Sequence, residues 1–328
     1  MLIGLTYDLK DEYLAQGFTS DQVAEFDSEE TIFGIENALQ ELGHETIRIG
    51  HIRNLVKLLD AGQRWDIVFN ICEGMYGLGR EAQVPAVLDA WNIPYTFSDP
   101  LVLALTLHKG LTKRVIRDAK IPTADFFIIN DETEISKCHL SFPVFIKPVA
   151  EGSGKGIGKN SLAMDFEAFK NECINLLQTY NQPVLAENYL PGREFTAGII
   201  GSGNDAKITG IMEVLINVDA EEAAYSRFIK ENYQGRVEYQ LLQGPVYEAC
   251  AKVALAAWKV LGCRDAGRID LKMDENGVPC FIEVNPLAGL NYLHSDLPII
   301  MYLQGKTYKD LIAEILNSAT QRINKKRF

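Results

Sequence analysis

Two spacings of apolar residues alternate along this chain, and each change of spacing marks a new element. Residues 1–6 are an almost unbroken apolar run, the pattern of a strand covered on both faces. Ser28 reads as an N-cap with Glu29 and Glu30 in the first turn, and Ile32, Ile35, Leu39 and Leu42 follow at helical spacing until Gly43 stops them. Residues 46–49 and 65–70 return to strand patterning, 82–91 to helix, and Tyr95-Thr96 to a short strand. This alternation predicts a parallel α/β unit over roughly the first 100 residues. Ligands of such sheets bind beyond the carboxyl ends of the strands, which here are the loops after Thr6 and Asn70. The first of these loops, 7–27, is polar and long for a connection, which points to function.

Beyond Asp99 the spacing changes. One helix is expected over 101–118, carrying Lys109 and Lys113, then strands over 126–129, 142–148, 183–190, 194–200 and 207–216. Residues 217–240 are rich in Tyr, Lys and Glu and read as a mobile loop. Val246, Ala249, Cys250, Val253, Ala257 and Val260 make 245–261 a core helix. Residues 289–298 read as a loop holding His294, Ser295 and Asp296, and 307–323 as a closing helix.

The richest pattern lies over 267–286. Alternating runs flank Asn276-Gly277, the strongest short hairpin signal. A two-residue turn there sets Asp270 opposite Glu283 and Arg268 opposite Asn285. Period-two alternation gathers these four polar groups on one face and turns Ile269, Leu271, Ile282 and Val284 to the core. Two carboxylates and an amide beside an arginine make an oxygen site for Mg²⁺ with an anion clamp alongside. A hairpin whose polar face is simply solvated accounts for this stretch equally well when it is taken alone.

Other segments weigh on that choice. Strand 142–148 ends in Lys147-Pro148 and runs into Glu151-Gly152-Ser153-Gly154-Lys155-Gly156-Ile157-Gly158, where glycines let backbone N–H groups approach an anion. No helix headed by Lys-Ser/Thr follows, so this is not a P-loop, and a flexible hairpin tip is the alternative. Lys147 at a buried strand end favours phosphate. Glu187 and Glu194 flank the Pro191-Gly192 turn; either both point into one cleft or Glu194 is a plain exposed strand residue. A second glycine-rich loop, Glu73 to Glu81, follows strand 65–70.

Composition narrows the class. A chain of 328 residues, 47% hydrophobic and 23% charged, suits a soluble protein of two or three domains. A formal net charge of −12 argues against a nucleic-acid surface and a polybasic membrane anchor. No apolar run approaches a membrane span, and the first residues lack the pattern of a signal peptide. Cys72, Cys138, Cys173, Cys250, Cys263 and Cys280 show neither C-x-x-C nor zinc spacing, which fits reduced thiols in the cytoplasm. Lys325-Lys326-Arg327 reads as a frayed helix end with solvated charges.

Five segments then occur in a telling order. They are Phe142 to Pro148 before the glycine-rich loop, Glu187-Asn188-Tyr189-Leu190, Gly192-Arg193-Glu194-Phe195-Thr196, Gly267-Arg268-Ile269-Asp270 and Ile282-Glu283-Val284-Asn285-Pro286. Together they resemble the ATP-grasp superfamily, and within it the D-alanine–D-alanine ligases most, over about residues 90–300. The resemblance implies an ATP-grasp fold behind a Rossmann-like parallel α/β domain. The expected parts are a substrate-side domain 1–97, a central subdomain 98–187 with the phosphate loop, and a C-terminal subdomain 188–328 with the metal site. It implies that Lys109, Lys147 and loop residues Glu151, Gly152, Ser153 and Gly154 serve the ATP phosphates. Glu187 with the backbone of Asn188 and Leu190 would hold adenine, and Glu194 the ribose. Asp270, Glu283 and Asn285 would hold two Mg²⁺ ions, with Mn²⁺ as a substitute, and Arg268, Ser153 and Gly289 would assist the chemistry. Ser295 would bind a substrate carboxylate, and a homodimer is expected.

The N-terminal third departs from that family. Its Gly-Gly-x-Ser-x-Glu stretch, whose Glu grips the first substrate's ammonium, is replaced by Tyr7-Asp8-Leu9-Lys10 and an acidic loop, where Glu25 or Asp27 is the candidate substitute. Its His-Gly loop is replaced by Glu73-Gly74-Met75-Tyr76, which makes Glu73 and Tyr76 candidate substrate contacts. The segment from Asn285 to Ser295 is one residue longer.

The leading expectation is an ATP-dependent carboxylate–amine ligase, acting through an acyl phosphate to form an amide. Such chemistry needs positioned charge rather than a Ser-His or Cys-His nucleophile, and none is evident. The histidines read as structural or exposed, with His294 the one in a substrate loop. A ligase with another amino-acid, peptide or carrier-bound substrate is the second reading, and a non-catalytic nucleotide-binding regulator the third. The complete set Lys147, Arg268, Asp270, Glu283 and Asn285 argues against the third.

Overall fold

The computed structural model describes residues 1–216 and 237–326. Of the expected loop 217–240, residues 217–236 lie outside the described residues, and the last four form strand instead of loop.

The first layer is β1 (Leu2–Thr6), α1 (Lys10–Ala15), α2 (Glu29–Glu41), β2 (Glu45–Gly50), α3 (Ile52–Asp60), β3 (Ile67–Asn70) and α4 (Gln83–Ala90). The strands pair in parallel in the order β2-β1-β3, and Tyr95 extends this edge by a single bridge to Val68. The Ser28 side chain accepts from the Thr31 N–H and caps α2. The long loop after β1 is not wholly irregular: it holds α1 and returns so that Leu9 bridges Asp27.

The single helix expected over 101–118 is two, α5 (Pro100–Leu107) and α6 (Lys109–Asp118), broken at His108. The Lys109 N–H donates to Val149 O at 2.9 Å, outside the helix. Leu105 O is satisfied instead by Thr112 Oγ1 at 2.8 Å, and His108 Nδ1 caps the new helix by accepting from the Leu111 N–H. The break sets Lys109 at the head of a helix beside the glycine-rich loop.

Next come β4 (Phe126–Ile129), β5 (Val144–Pro148), β6 (Leu162–Ala163), α7 (Phe166–Tyr180) and β7 (Val184–Asn188). They form an antiparallel sheet ordered β4-β7-β5-β6, with Phe169, Cys173 and Leu176 of α7 packed on Val144, Ile146, Val184 and Ala186. The last part comprises β8 (Glu194–Ile200), β9 (Lys207–Ile216), β10 (Val237–Leu241), α8 (Gly244–Leu261), β11 (Ala266–Met273), β12 (Pro279–Asn285), α9 (Asp296–Leu303) and α10 (Tyr308–Lys326). Its sheet is antiparallel, ordered β10-β9-β8-β11-β12, and Trp258 and Ala254 of α8 lie against Ile199, Ile269 and Phe281. Helix α9 begins inside the stretch expected as loop 289–298. Helices α9 and α10 return to the first layer, where Leu297, Met301, Leu311 and Ile315 share a core with Leu5, Ile35 and Phe69. Lys325 is exposed, as expected for that helix end, and pairs with the equally exposed Asp205.

The hairpin joins β11 to β12, but its turn differs from expectation. Asp274 N–H bonds Val278 O and Gly277 N–H bonds Asp274 O, leaving a three-residue loop with Gly277 in the left-handed region. That displaces the register by one residue near the turn, so Leu271 faces Phe281. A bulge then restores it, and Asp270 faces Glu283 and Arg268 faces Asn285 as expected. Ile282 is the extra residue. It joins Ala124, Leu190 and Cys280, and Phe281 takes the core position expected for Ile282.

Asp265, fully buried just before β11, ties the layers together. It accepts from Phe97 N–H at 2.9 Å, Ser318 Oγ at 3.0 Å, and Arg322 Nε and Nη2 at 3.2 and 2.8 Å. Removing one member of a buried charge pair strands the other, at a cost of about 3–5 kcal/mol. Asp265→Asn tolerates the same backbone but leaves Arg322 unpaired. Urea denaturation should show a loss of about 3 kcal/mol, and a loss under about 1 kcal/mol would show the hub is not needed.

Candidate active site

Three separate parts of the fold converge on Glu283. From α6, Lys109 Nζ lies 3.7 Å from its carboxylate, and from β5, Lys147 Nζ lies 3.9 Å away. On the hairpin face, Asp270 is its cross-strand neighbour. Thr196 Oγ1 of β8 donates to Asp270 Oδ1 at 3.0 Å, and Asn285 Nδ2 lies 3.4 Å from Asp270 Oδ2. Arg268 is oriented by Asp296 at the start of α9 and by Asp270 at 3.7 Å. The donor set Asp270, Glu283 and Asn285 fits a hard divalent cation, which takes one or two carboxylates and completes its shell with phosphate oxygens and water. Among the described residues no three Asp, Glu, His or Cys side chains converge as a closed metal cluster.

Behind this face Glu187 is sealed between two lysines. Its Oε2 accepts from Lys113 Nζ at 2.7 Å and its Oε1 faces Lys147 Nζ at 3.1 Å. Burial opposes the charge of Glu187, but Lys113 and Lys147 together lower its pKa to about 2. Burial also opposes the charge of Lys147, and Glu187 followed by Glu283 raises it. Both oxygens of Glu187 thus meet a lysine. The Asn188 N–H is likewise committed, to Asp125 O at 2.9 Å. Leu190 lines the apolar patch with Ala124, Cys280 and Ile282. Glu187 and Glu194 do not share one arrangement: Glu194 is exposed on the β8 face that carries Thr196, paired with Lys272 at 3.2 Å.

The glycine-rich loop is latched to the first layer. Glu25 accepts from the Gly152 N–H and pairs with Arg80 at 2.6 Å, while Arg80 Nη1 donates to Ala150 O at 2.9 Å. Glu151 is held by Lys155, and Gln182 Nε2 donates to it at 2.7 Å. A Cβ on Gly152 would sit 2.9 Å from Glu25 Oε1 and push that carboxylate aside. Ser153 and Gly154 lie in the left-handed region, with Ser153 exposed toward the cleft. Between Glu25 and Asp27, the contact with the loop belongs to Glu25.

Two adjoining cavities of about 120 and 450 Å³ share Glu25, Ser153, Arg268 and Gly289. Glu73, Glu81, Lys109 and Asn285 line the smaller, and Asp27, His294, Ser295 and Asp296 the larger. Ser295 Oγ accepts from the Asn291 N–H at 3.0 Å and sits against Gly289. Tyr76 departs from expectation: it is 63% exposed and lines neither cavity. A wider cleft of about 590 Å³ beside α10 is lined by groups that already have partners: Asp205 pairs with Lys325 across it, and Arg322 with the buried Asp265 beneath it.

Sequence reasoning gave no role to Arg80, Glu81, Lys113 or Thr196. Lys113 left a signal, since it falls with Thr112 and Ile116 on the buried side of α6. A depressed carboxyl pKa stabilises the fold above its unfolded value and loses that contribution as pH falls toward the folded one. For Glu187 the window runs from 4.5 down to about 2. Wild-type stability should fall through that window by about 3 kcal/mol more than that of Glu187→Gln, read from denaturation midpoints at each pH. Equal acid sensitivity in the two proteins would contradict the buried pairing.

Residues 115–317 match the model of the family described as D-ala D-ala ligase C-terminus. The chain is 30% identical to the uncharacterized protein y4sG of Sinorhizobium fredii, covering 87% of this chain and 86% of that one. It is 31% identical to D-alanine–D-alanine ligase of Bordetella pertussis, covering 83% of each. The fold matches that of D-alanine–D-alanine ligase from Bacillus anthracis, solved in complex with ATP, with a TM-score of 0.74 and 22% identity over the whole of both chains. The fold is therefore ATP-grasp, and the chain belongs to the D-alanine–D-alanine ligase family.

Proposed function

We propose that this protein is an ATP-dependent carboxylate–amine ligase. The observation that carries the reading is the convergence of Lys109 and Lys147 on Glu283, a carboxylate of the hairpin's oxygen-donor face. Two cations beside a divalent-metal donor set suit a triphosphate and little else. Asp270, Glu283 and Asn285 would hold Mg²⁺, two ions in our reading. The metal would supply neutralisation of phosphate charge. Lys109, Lys147 and the amides of loop 151–158 add to that neutralisation and fix the phosphates. Ala124, Leu190, Cys280 and Ile282 offer an apolar wall for adenine, and Glu194 lies on the face suited to ribose.

The substrate carboxylate attacks the γ-phosphorus, the bond to the ADP oxygen breaks, and an acyl phosphate forms. An amine then attacks the acyl carbon, loses a proton and displaces phosphate, leaving an amide. Arg268, held by Asp296 and Asp270, faces the charge that builds on the reacting oxygens, assisted by Gly289 and Ser153. Ser295 is placed for the carboxylate of the second amino acid. The chain's free cysteines suit a reducing cytoplasm, and we take the working form to be a homodimer.

The substrate side is acidic. Glu73 and Glu81 line the smaller cavity without an ion-pair partner among the described residues. Burial and then Glu81 raise the carboxyl pKa of Glu73, and burial raises that of Glu81 to about 7, even though Arg80 opposes both shifts and Lys109 the second. A cation placed beside them relieves both effects. The carboxylate donor is therefore proposed to be an amino acid with a cationic side chain, its carboxylate toward Lys109 and its ammonium groups toward Glu25, Glu73 and Glu81. A role in peptidoglycan biosynthesis follows only if D-alanine is itself turned over.

Phosphate release from ATP with a panel of D- and L-amino acids, products identified by mass, tests the ligase reading. No stimulation by any pair would overturn it. Lysine and ornithine should exceed their neutral counterparts norleucine and norvaline in kcat/KM by about tenfold or more, as one buried charge pairing allows. Asp270→Asn and Glu283→Gln should each cut turnover by roughly a hundredfold or more while the proteins stay folded. Near-normal turnover in either would refute the metal assignment.

A further inference from the structure

Lys113 is a fully buried lysine on the inner side of α6, and the chemistry above gives it no task. Its ammonium donates to Glu187 Oε2 at 2.7 Å and lies 5.6 Å from the centre of the Phe126 ring. Phe126 is the cross-strand partner of Glu187, so the lysine is fixed from two sides. Glu187 is shared, because its other oxygen faces Lys147 at 3.1 Å. One buried carboxylate thus serves two buried lysines; burial lowers the pKa of Lys113 and Glu187 opposes that, and with both lysines protonated the trio carries one unit of positive charge. Lys147 is the member that looks out, since its other neighbour, 3.9 Å away, is Glu283 of the hairpin face.

We propose that Lys113 is a positioning residue for the nucleotide: by sharing Glu187 it leaves Lys147 with unneutralised charge directed at the phosphates. The inference rests on the ligase reading, because it takes an anionic nucleotide to be the ligand of Lys147. Without Lys113, Glu187 neutralises Lys147 by itself, and both carboxylate oxygens draw that ammonium away from the cleft. In a buried setting water screens little of this effect. A lysine that only fills space on α6 would instead affect every ligand of the cleft alike.

Calorimetric titration of ADP and of adenosine, both with magnesium, separates these cases. Lys113→Met should weaken ADP by about tenfold or more and adenosine by less than about threefold, because only the former carries charge. Adding Glu187→Gln to Lys113→Met removes the surplus carboxylate, and ADP affinity should return to within about threefold of wild type. Equal losses for ADP and adenosine, or no recovery in the double variant, would overturn the proposal. If Lys113→Met does not fold, the double variant still decides. It removes one positive and one negative group, so the net charge of the buried site is unchanged and Lys147 keeps Glu283 as a partner at 3.9 Å. A loss of ADP affinity of about tenfold in that protein also overturns the proposal. Should wild-type protein bind no ADP, the ligase reading fails and this inference with it, an outcome distinct from normal binding in wild type and Lys113→Met alike.

Discussion

Register along the β11–β12 hairpin is restored by a single bulge at Ile282, and the make-up of the cleft depends on it. Side chains of a strand alternate faces, so a slip of one residue would send Glu283 and Asn285 into the core and bring Val284 out. The three-residue turn at Glu275-Asn276-Gly277 imposes such a slip near the tip. The bulge cancels it before the polar end. It also sets Ile282 against Ala124, Leu190 and Cys280, outside the main core of this sheet.

Electrostatic pairing then fixes what approaches that face. Glu187 pairs with both Lys113 and Lys147, and Lys113 lies on the buried side of the helix that restarts at Lys109. The restart has its own cause, the Lys109 N–H donating to Val149 O. One backbone hydrogen bond thereby orients two lysines on α6. The Lys109 side chain heads toward Glu283 and that of Lys113 toward Glu187.

The glycine-rich loop is fastened from the opposite side, through Glu25 and Arg80 of the first layer. Asp8 joins the two loops at the strand ends, accepting from Tyr13 Oη at 2.6 Å and from Gly74 N–H at 2.9 Å. Residues far apart in the chain thus close one wall of the cleft, and that wall carries more acid than base. Glu25, Glu73 and Glu81 line the smaller cavity along this wall, opposite Arg268 and Asn285 of the hairpin.

The sequence alone carried most of the strands and the longer helices, the facing of Asp270 with Glu283, and the family. These rest on local periodicity, turn residues and motifs whose members lie close in the chain. It did not show what depends on contacts across the fold. The break at His108 needs Val149, the engagement of Glu187 needs Lys113 from another element, and the start of α9 at Asp296 brings a partner to Arg268. Tyr76 looked like a substrate contact from its loop, yet it faces solvent, because the loop turns inward at Glu73 and Glu81 instead. Only the tertiary structure decided these points, since burial and charge pairing depend on distances between elements that no spacing along the chain encodes.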